Sequence, residues 1–308
     1  MTTTAEAVPG GRPAAGPVPR LRRRVERALH RVVEEELAGL SGRTPRAVRD
    51  AVLSPGKRIR PLLLLGAHRS VAGEVPEAAV ELSCSVELVH AYSLIHDDLP
   101  CMDDDVLRRG RPTLHVRFGF RTAVLVGACL MPMAVRVVVR SGERLGLERS
   151  RIRRMVRRLA AASGGAGMVG GQLLDLRAEG RQVDAAELER IHRGKTAALM
   201  EAAVRMGAVA AGADGGRVER AGRFGRKLGL AFQAVDDILD ETGDAEELGK
   251  SGGRDRALGK ATYPSVMGLE PARSAARELA ASAREELEGM GEDDVLDEIV
   301  DFVVRRRR

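Results

Sequence analysis

From Leu21 onward apolar residues return every three or four positions, the spacing of helices that bury one side, and each run stops at Gly, Pro or Asp. This pattern predicts helices over residues 20–38, 45–53, 58–72, 77–97, 119–141, 148–163, 166–178, 185–192, 195–212, 216–241, 256–268, 270–288 and 293–304. No segment shows the period-two alternation of a half-buried strand. The chain therefore reads as all-α, a single-domain helical bundle over residues 20–308, preceded by a flexible tail of Ala, Gly, Pro and Thr over residues 1–19. No interior linker rich in Pro, Gly or Ser divides it, and no solenoid repeat is present.

Polar residues that interrupt the apolar pattern carry the chemistry. In LVHAYSLIHDDLPCMDDDVLRRGRPTLH, residues 88–115, five aspartates fall within nine positions at the end of an apolar helix that Pro100 breaks. His90, Ser93 and Asp97 share one helical face, aimed into one space. Carboxylates about 5 Å apart at an effective dielectric near 20 repel by roughly 3 kcal/mol per pair, so a partly buried cluster calls for a divalent cation. Ligands that are all oxygen favour magnesium, above all with a phosphate completing the shell. A solvated acidic loop is the plainer reading of the same residues. A second cluster argues against it. In FQAVDDILD, Gln233, Asp236 and Asp240 lie on one face of an otherwise apolar helix, where an unpaired carboxylate costs several kcal/mol. Two acidic clusters in one bundle point to metal held between facing helices.

Basic residues are placed to complement them. In SPGKRIRP, Gly56 frees the backbone and Lys57, Arg58 and Arg60 follow at a helix start, a place suited to a diphosphate. HRGKTAALM sets Lys195 beside Thr196, whose hydroxyl could equally be a plain cap. GKSGGRDRALGKATYP carries Lys250 and Lys260 on a stretch able to close over a charged ligand. In GGAGMVGGQLLDL, Gln172 and Asp175 share a face, and its glycines suit either close helix packing or a bend beside a ligand.

Composition narrows the choice. With 308 residues, 44% of them hydrophobic, the chain can bury a sizeable core. The best apolar run, Ala123 to Val135, is short and contains Pro132, so no membrane span is expected. There is no apolar signal core at the N-terminus, and Cys84, Cys101 and Cys129 show no metal-ligand spacing, which together suit the cytoplasm. The net charge of +6 is concentrated over residues 20–31 and 305–308. Only seven aromatic residues accompany it, none interleaved with basic runs, so a nucleic-acid platform is not expected. Of the fifty basic residues only five are lysine, and four of those sit in the Gly-rich or Thr-containing segments above.

Taken together, DDLPCMD (Asp97 to Asp103), DDILD (Asp236 to Asp240), GKRIRP, GGQLLDL, KTAAL and GKATYP resemble, in content and order, the motifs of the trans-isoprenyl diphosphate synthases, the polyprenyl synthetase family, and most closely their bacterial farnesyl diphosphate synthase branch. The resemblance covers residues 21–308. It implies the isoprenoid synthase fold with a central cavity, a homodimer, and magnesium-dependent head-to-tail joining of an allylic diphosphate to isopentenyl diphosphate. It implies that Asp97, Asp103 and Asp236 hold magnesium. The allylic diphosphate would lie on those ions with Arg108, Lys195 and Lys260, and isopentenyl diphosphate on Lys57, Arg60, His90 and Arg109. Thr196 and Gln233 would line the reacting carbons. Tyr92, five residues before Asp97 and so about 7.5 Å down the helix, would be the floor that stops growth at farnesyl. Ser93 beside it leaves room for some geranylgeranyl product. One segment departs from the family: Gly127-Ala128-Cys129-Leu130 stands where Gly-Asp-Ala-Leu is usual, altering a helix near the cavity and the dimer contact. A class I terpene cyclase shares the implied fold but would need one diphosphate site. A non-catalytic subunit would dispense with an aspartate motif, and both are retained here.

Overall fold

The computed structural model describes residues 16–108, 110–243, 254–291 and 293–306, so the tail expected over the first residues lies almost wholly outside it. Helix α1 (Pro17–Glu36) begins earlier than its apolar periodicity suggested. A proline suits a first helical turn because its φ is preset and no N–H is lost there. It is followed by α2 (Arg43–Val52), α3 (Ile59–Ala72) and α4 (Glu77–Asp97). Helix α4 is the axis of the bundle. Val80, Leu82, Val86, Leu88 and Val89 are all fully buried along it, because α6, α3, α1, α2 and α10 pack around it from different sides. A helix apolar all round has no face to give to water.

The segment expected to be one helix from residue 119 is two, α5 (Leu114–Phe118) and α6 (Phe120–Arg144), parted by Gly119 at φ +80°. Helix α6 runs on through Pro132, which lies on its exposed side. By length and composition both α4 and α6 are therefore able to cross a membrane, which corrects the expectation that no run is long enough. In the fold they pack on each other, with 72% of the apolar window of α4 and 44% of that of α6 buried inside the protein. A two-residue hairpin not foreseen from the sequence, β1 (Leu107–Arg108) and β2 (Arg111–Pro112), sits between α4 and α5 and pairs Arg108 with Arg111.

Beyond α6 come α7 (Arg149–Ser163), α8 (Met168–Ala178) and α9 (Ala185–His192). A π-turn (Arg193–Ala197) leads into α10 (Ala198–Ala210), and α11 (Gly215–Thr242) follows. The helix expected over residues 256–268 is instead α12 (Arg254–Ala257) and α13 (Tyr263–Met267). Gly259 turns the chain at φ +66°, and Thr262 and Ser265 cap α13 reciprocally: Thr262 N donates to Ser265 Oγ at 2.9 Å and Ser265 N to Thr262 Oγ1 at 3.2 Å. Helices α14 (Leu269–Glu288) and α15 (Asp294–Arg305) close the bundle on α11 and α3.

Candidate active site

Helix α4 ends at Asp97, where the apolar pattern placed its end. The chain then doubles back: Asp103 N donates to Asp97 O at 2.9 Å, Asp104 N to Leu99 O at 3.1 Å and Asp105 N to Asp98 O at 3.2 Å. That turn sorts the five aspartates into two sets with different jobs. Asp98 and Asp105 are buried and grip Arg108, whose Nε reaches Asp98 Oδ1 at 2.6 Å and whose Nη2 reaches Asp105 Oδ2 at 3.1 Å. Asp97 and Asp103 instead share their surroundings with Lys195 and Lys260; Lys260 Nζ lies 3.0 Å from Asp103 Oδ2, and Gln172 Nε2 donates to Asp103 Oδ1 at 3.4 Å. Burial pushes Asp97 up to about 6, and the charge of Asp103 adds to the effect of burial while Lys195, Arg108 and Lys260 resist it. Burial works the same way on Asp103, but Lys195 and Lys260 outweigh it and hold that carboxyl below the usual range.

Lys195 owes its position to a close approach of backbones. A Cβ on Gly171 of α8 would stand 2.1 Å from Lys195 N, so only glycine lets the π-turn come so near. Across this contact Lys195 Nζ donates to Asp175 Oδ2 at 2.5 Å. Burial opposes the ammonium charge, yet Asp175, Asp97 and Asp103 outweigh burial and hold Lys195 protonated. Thr196 is no cap. Its Oγ1 donates to Gln233 Oε1 at 2.6 Å, and Gln233 Nε2 donates to Asp237 Oδ1 at 2.7 Å. Asp237 also accepts from Tyr263 N at 2.9 Å and is pushed well above the usual range by burial. His192 Nε2 stands 3.8 Å from Asp237 Oδ2, and burial pulls this imidazole down to about 4.

The second acidic cluster thus differs from its expected face. Asp237, not Asp236, is the buried member, because α11 is covered on more than one side, by the π-turn and α10 as well as by α13 and α14. Asp236 is 46% exposed at its side chain and takes Arg306 Nη2 at 2.6 Å, the guanidinium lying 4.6 Å from the Phe232 ring centre. Asp240 accepts from Asp255 N at 3.0 Å, and burial together with Asp240 pushes Asp255 up to about 6.

At the basic loop the left-handed residue is Arg58, at φ +55°, and not Gly56. The strain is offset by four hydrogen bonds: Arg58 reaches Glu26 at 3.0 and 3.2 Å, Glu87 at 2.6 Å and Ser54 O at 2.7 Å. With Arg58 turned inward, Lys57 is left exposed, its Nζ 5.0 Å from the Phe302 ring centre, and Arg60 is half-buried. His90 of α4 shares a cavity of about 160 Å³ with Ser54, Pro55, Arg58, Asp98 and Arg108, which joins the basic loop to the first acidic turn. Tyr92 is half-buried one turn before His96, the two ring centres 4.6 Å apart, and Ser93 Oγ donates to His90 O at 2.9 Å. Arg109 and Lys250 lie outside the described residues.

With both acidic ends, the lysines and the basic loop in place, likeness to known proteins becomes informative. The family profile described as polyprenyl synthetase matches residues 43–302. This chain belongs to the polyprenyl synthetase family. It is 46% identical over 258 residues to the farnesyl diphosphate synthase of Escherichia coli (strain K12), spanning 82% of this chain and 86% of that protein. It is 43% identical over 269 residues to geranylgeranyl pyrophosphate synthase 6, mitochondrial, of Arabidopsis thaliana, covering 85% and 80%. The fold aligns with an FPP/GFPP synthase from Zymomonas mobilis at a TM-score of 0.82 and 36% identity, over 93% and 99% of the two chains. It also aligns with a geranyltransferase from Helicobacter pylori, complexed with magnesium and isoprenyl diphosphate, at 0.79 and 32% identity, over 95% and 98%. The isoprenoid synthase fold expected from the motifs is the fold observed.

In this polyprenyl synthetase, sequence reasoning missed residues that support the site without touching its centre. Asp98, Asp105, Glu87, Asp237 and His192 were not singled out. The available signal was a charge or an imidazole inside an apolar helix, as at Glu87, since such a group is kept only with a partner.

Proposed function

We propose that the chain is a trans-prenyltransferase that condenses isopentenyl diphosphate with dimethylallyl or geranyl diphosphate to give mainly farnesyl diphosphate. The observation that carries this reading is the convergence of Lys195 and Lys260 on Asp97 and Asp103, while both lysines also act on Asp255, whose N–H bonds Asp240 of the second motif. Among the described residues no three His, Cys, Asp or Glu side chains gather tightly enough to hold a metal by themselves. The donor set nonetheless fits magnesium: it is oxygen-only, Asp97 and Asp103 raise each other's cost of ionisation, and a substrate diphosphate would supply the missing oxygens. Asp97, Asp103 and Asp236 would hold that magnesium, which when bound supplies charge stabilisation for a departing diphosphate.

The chain's own groups do the rest. Arg108, fixed by Asp98 and Asp105, presents a guanidinium already oriented toward the allylic diphosphate, and Lys195 and Lys260 add two ammonium groups where negative charge grows as the carbon–oxygen bond breaks. Lys57, Arg60 and His90, with Gly56 in their loop and the adjoining Arg109, hold isopentenyl diphosphate. Lys250, outside the described residues, is assigned to substrate binding by its motif alone. Thr196 and Gln233, locked by the chain of hydrogen bonds ending at Asp237, line the reacting carbons, and the apolar walls around them keep water from the allylic cation. Tyr92, propped on His96, forms the floor. Ser93 leaves a second reading, geranylgeranyl diphosphate as a co-product. The protein works as a homodimer in the cytoplasm.

Kinetics on purified variants test this. Asp97→Ala is expected to lower kcat at least roughly a hundredfold with the fold intact, the scale of losing transition-state charge stabilisation. Lys57→Ala should raise KM for isopentenyl diphosphate much more than for the allylic partner. Near wild-type turnover in the first, or equal change for both substrates in the second, contradicts the two-site layout.

A further inference from the structure

A second cavity lies away from the aspartates. A groove of about 620 Å³ opens between α7, α8, α10 and α11, on the far side of the α8 and π-turn contact. Its volume lies within the roughly 300–1,000 Å³ typical of small-molecule sites. Five arginines line it, from α7, α9, the π-turn, α10 and α11, against a single glutamate, Glu201. Glu201 is spent on Arg205 and Arg226, at 2.9 Å from each, and Glu219 outside the groove takes Arg205 at 2.5 Å and Arg158 at 3.5 Å. Counting Glu189, which acts on Arg226 from further away, three carboxylates therefore stand against five guanidinium groups. Arg190 and Arg193 have no ion pair or hydrogen bond among the described residues. The Nε–H of Arg158 is buried without an acceptor, and burial together with Arg205 presses against its charge. Such surplus, in forks suited to paired oxygens, is what an oxyanion relieves.

The floor is backbone. Gly165, where a Cβ would meet nothing within 4 Å, leaves the floor open just before α8, whereas Gly167, Gly170 and Gly171 are glycine because a Cβ there would strike the backbone of Ala162, Gly165 and Lys195; the dipole at the start of α8 favours negative charge beside that opening. At one rim Leu173 and Leu174 stand 47% and 39% exposed, an apolar ledge beside the arginines.

We propose that this groove is a second anion site, separate from the catalytic cavity, that takes a diphosphate, either inorganic diphosphate or the head of a prenyl diphosphate whose tail lies on Leu173 and Leu174. The choice of diphosphate rests on the prenyltransferase reading, since that chemistry releases the one and makes the other. The site reports to the catalytic centre directly. Gly171, which lines the groove, backs onto Lys195 N, and Gln172 and Asp175 of the same α8 turns bond Asp103 and Lys195. An anion that draws Arg193 outward pulls on the backbone two residues before Lys195.

Calorimetric titration of the full chain in EDTA with inorganic diphosphate, and separately with farnesyl thiodiphosphate, tests the proposal. Arg190→Glu/Arg193→Glu, both exposed positions, is expected to weaken one class of sites about tenfold or more, as the loss of charge-assisted bonds would. Asp97→Asn should leave that class unchanged. Tighter binding of the thiodiphosphate, lost in Leu173→Ser/Leu174→Ser, assigns the prenyl source; equal binding of both probes assigns inorganic diphosphate. A single class of sites, or one whose affinity ignores the double arginine variant while circular dichroism shows it folded, overturns the site. If the chain condenses no prenyl substrates yet the arginine-dependent binding persists, the prenyltransferase reading fails and the anion site stands.

Discussion

His192 shows how much a single buried side chain can decide. It is 3% exposed, its Nε2 facing Asp237, with Lys195 and Asp175 nearby, and burial holds the ring neutral down to about pH 4. Its folded pKa lies below the unfolded value near 6.5, so its contribution is complete above about 6.5 and is lost as pH falls toward 4. A shift of this size corresponds to on the order of 3 kcal/mol. Urea unfolding between pH 7 and 4 should therefore show wild-type stability falling more steeply than that of His192→Gln; parallel curves would remove the assignment. Tyr92 is decisive in another way. Its ring is propped against His96, which fills the space that Gly127 leaves on α6, where a Cβ would stand 2.2 Å from His96 Nε2. The proposed floor is thus a three-residue stack joining α4 to α6. Tyr92→Ala should open it and lengthen the product toward geranylgeranyl diphosphate, read by chromatography of the dephosphorylated alcohols. An unchanged product pattern would place the depth control elsewhere.

The elements were legible in unequal measure. Helix α4 was read to its last residue, because a fully apolar run followed by Asp97, Asp98 and Pro100 has one natural stopping point. Lys195 lies near Asp97, and Thr196 bonds Gln233, contacts between elements far apart in the chain that helical periodicity does not pair. The reversal of Gly56 and Arg58 was not legible, since what pins Arg58 is Glu26 and Glu87, far away in the chain. Nor was Asp237, since periodicity on a helix buried on several sides does not rank neighbouring carboxylates. The glycines of α8 could be read as packing or as a ligand bend, and the structure gives the packing of one of them a function: Gly171 lets Lys195 reach Asp175. Gly171→Ala would drive a Cβ into Lys195 N, a backbone atom that cannot swing aside. The expected loss is about 1–3 kcal/mol of stability, with lowered kcat. Gly165→Ala, with nothing within 4 Å, should be close to neutral in thermal melts and turnover. Similar behaviour of the two variants would show that the contact does not position the lysine.

At the scale of the whole molecule, α6 presents a problem that one chain does not solve. Its inner side packs on α4, while Leu125 at 58% exposed, Val139 at 36%, Ala128, Cys129 and Pro132 form an outward stripe, continued at its start by Phe120 at 47%. Ala128 lies on this stripe, and the missing carboxylate makes the surface more apolar. A contiguous apolar helix face is costly to leave in water. In the proposed homodimer a second copy related by two-fold symmetry would cover it with the same stripe, with Arg121 and Arg136 on the same outward face. In this arrangement the α4–α6 seam that holds Tyr92 and His96 is braced from outside, so subunit contact and pocket depth are coupled. Leu125→Asp buries a charge at that contact and should shift the protein to monomer in sedimentation velocity, with reduced turnover. If wild type and variant sediment alike, the stripe is not the subunit contact, and the coupling between assembly and product length fails with it.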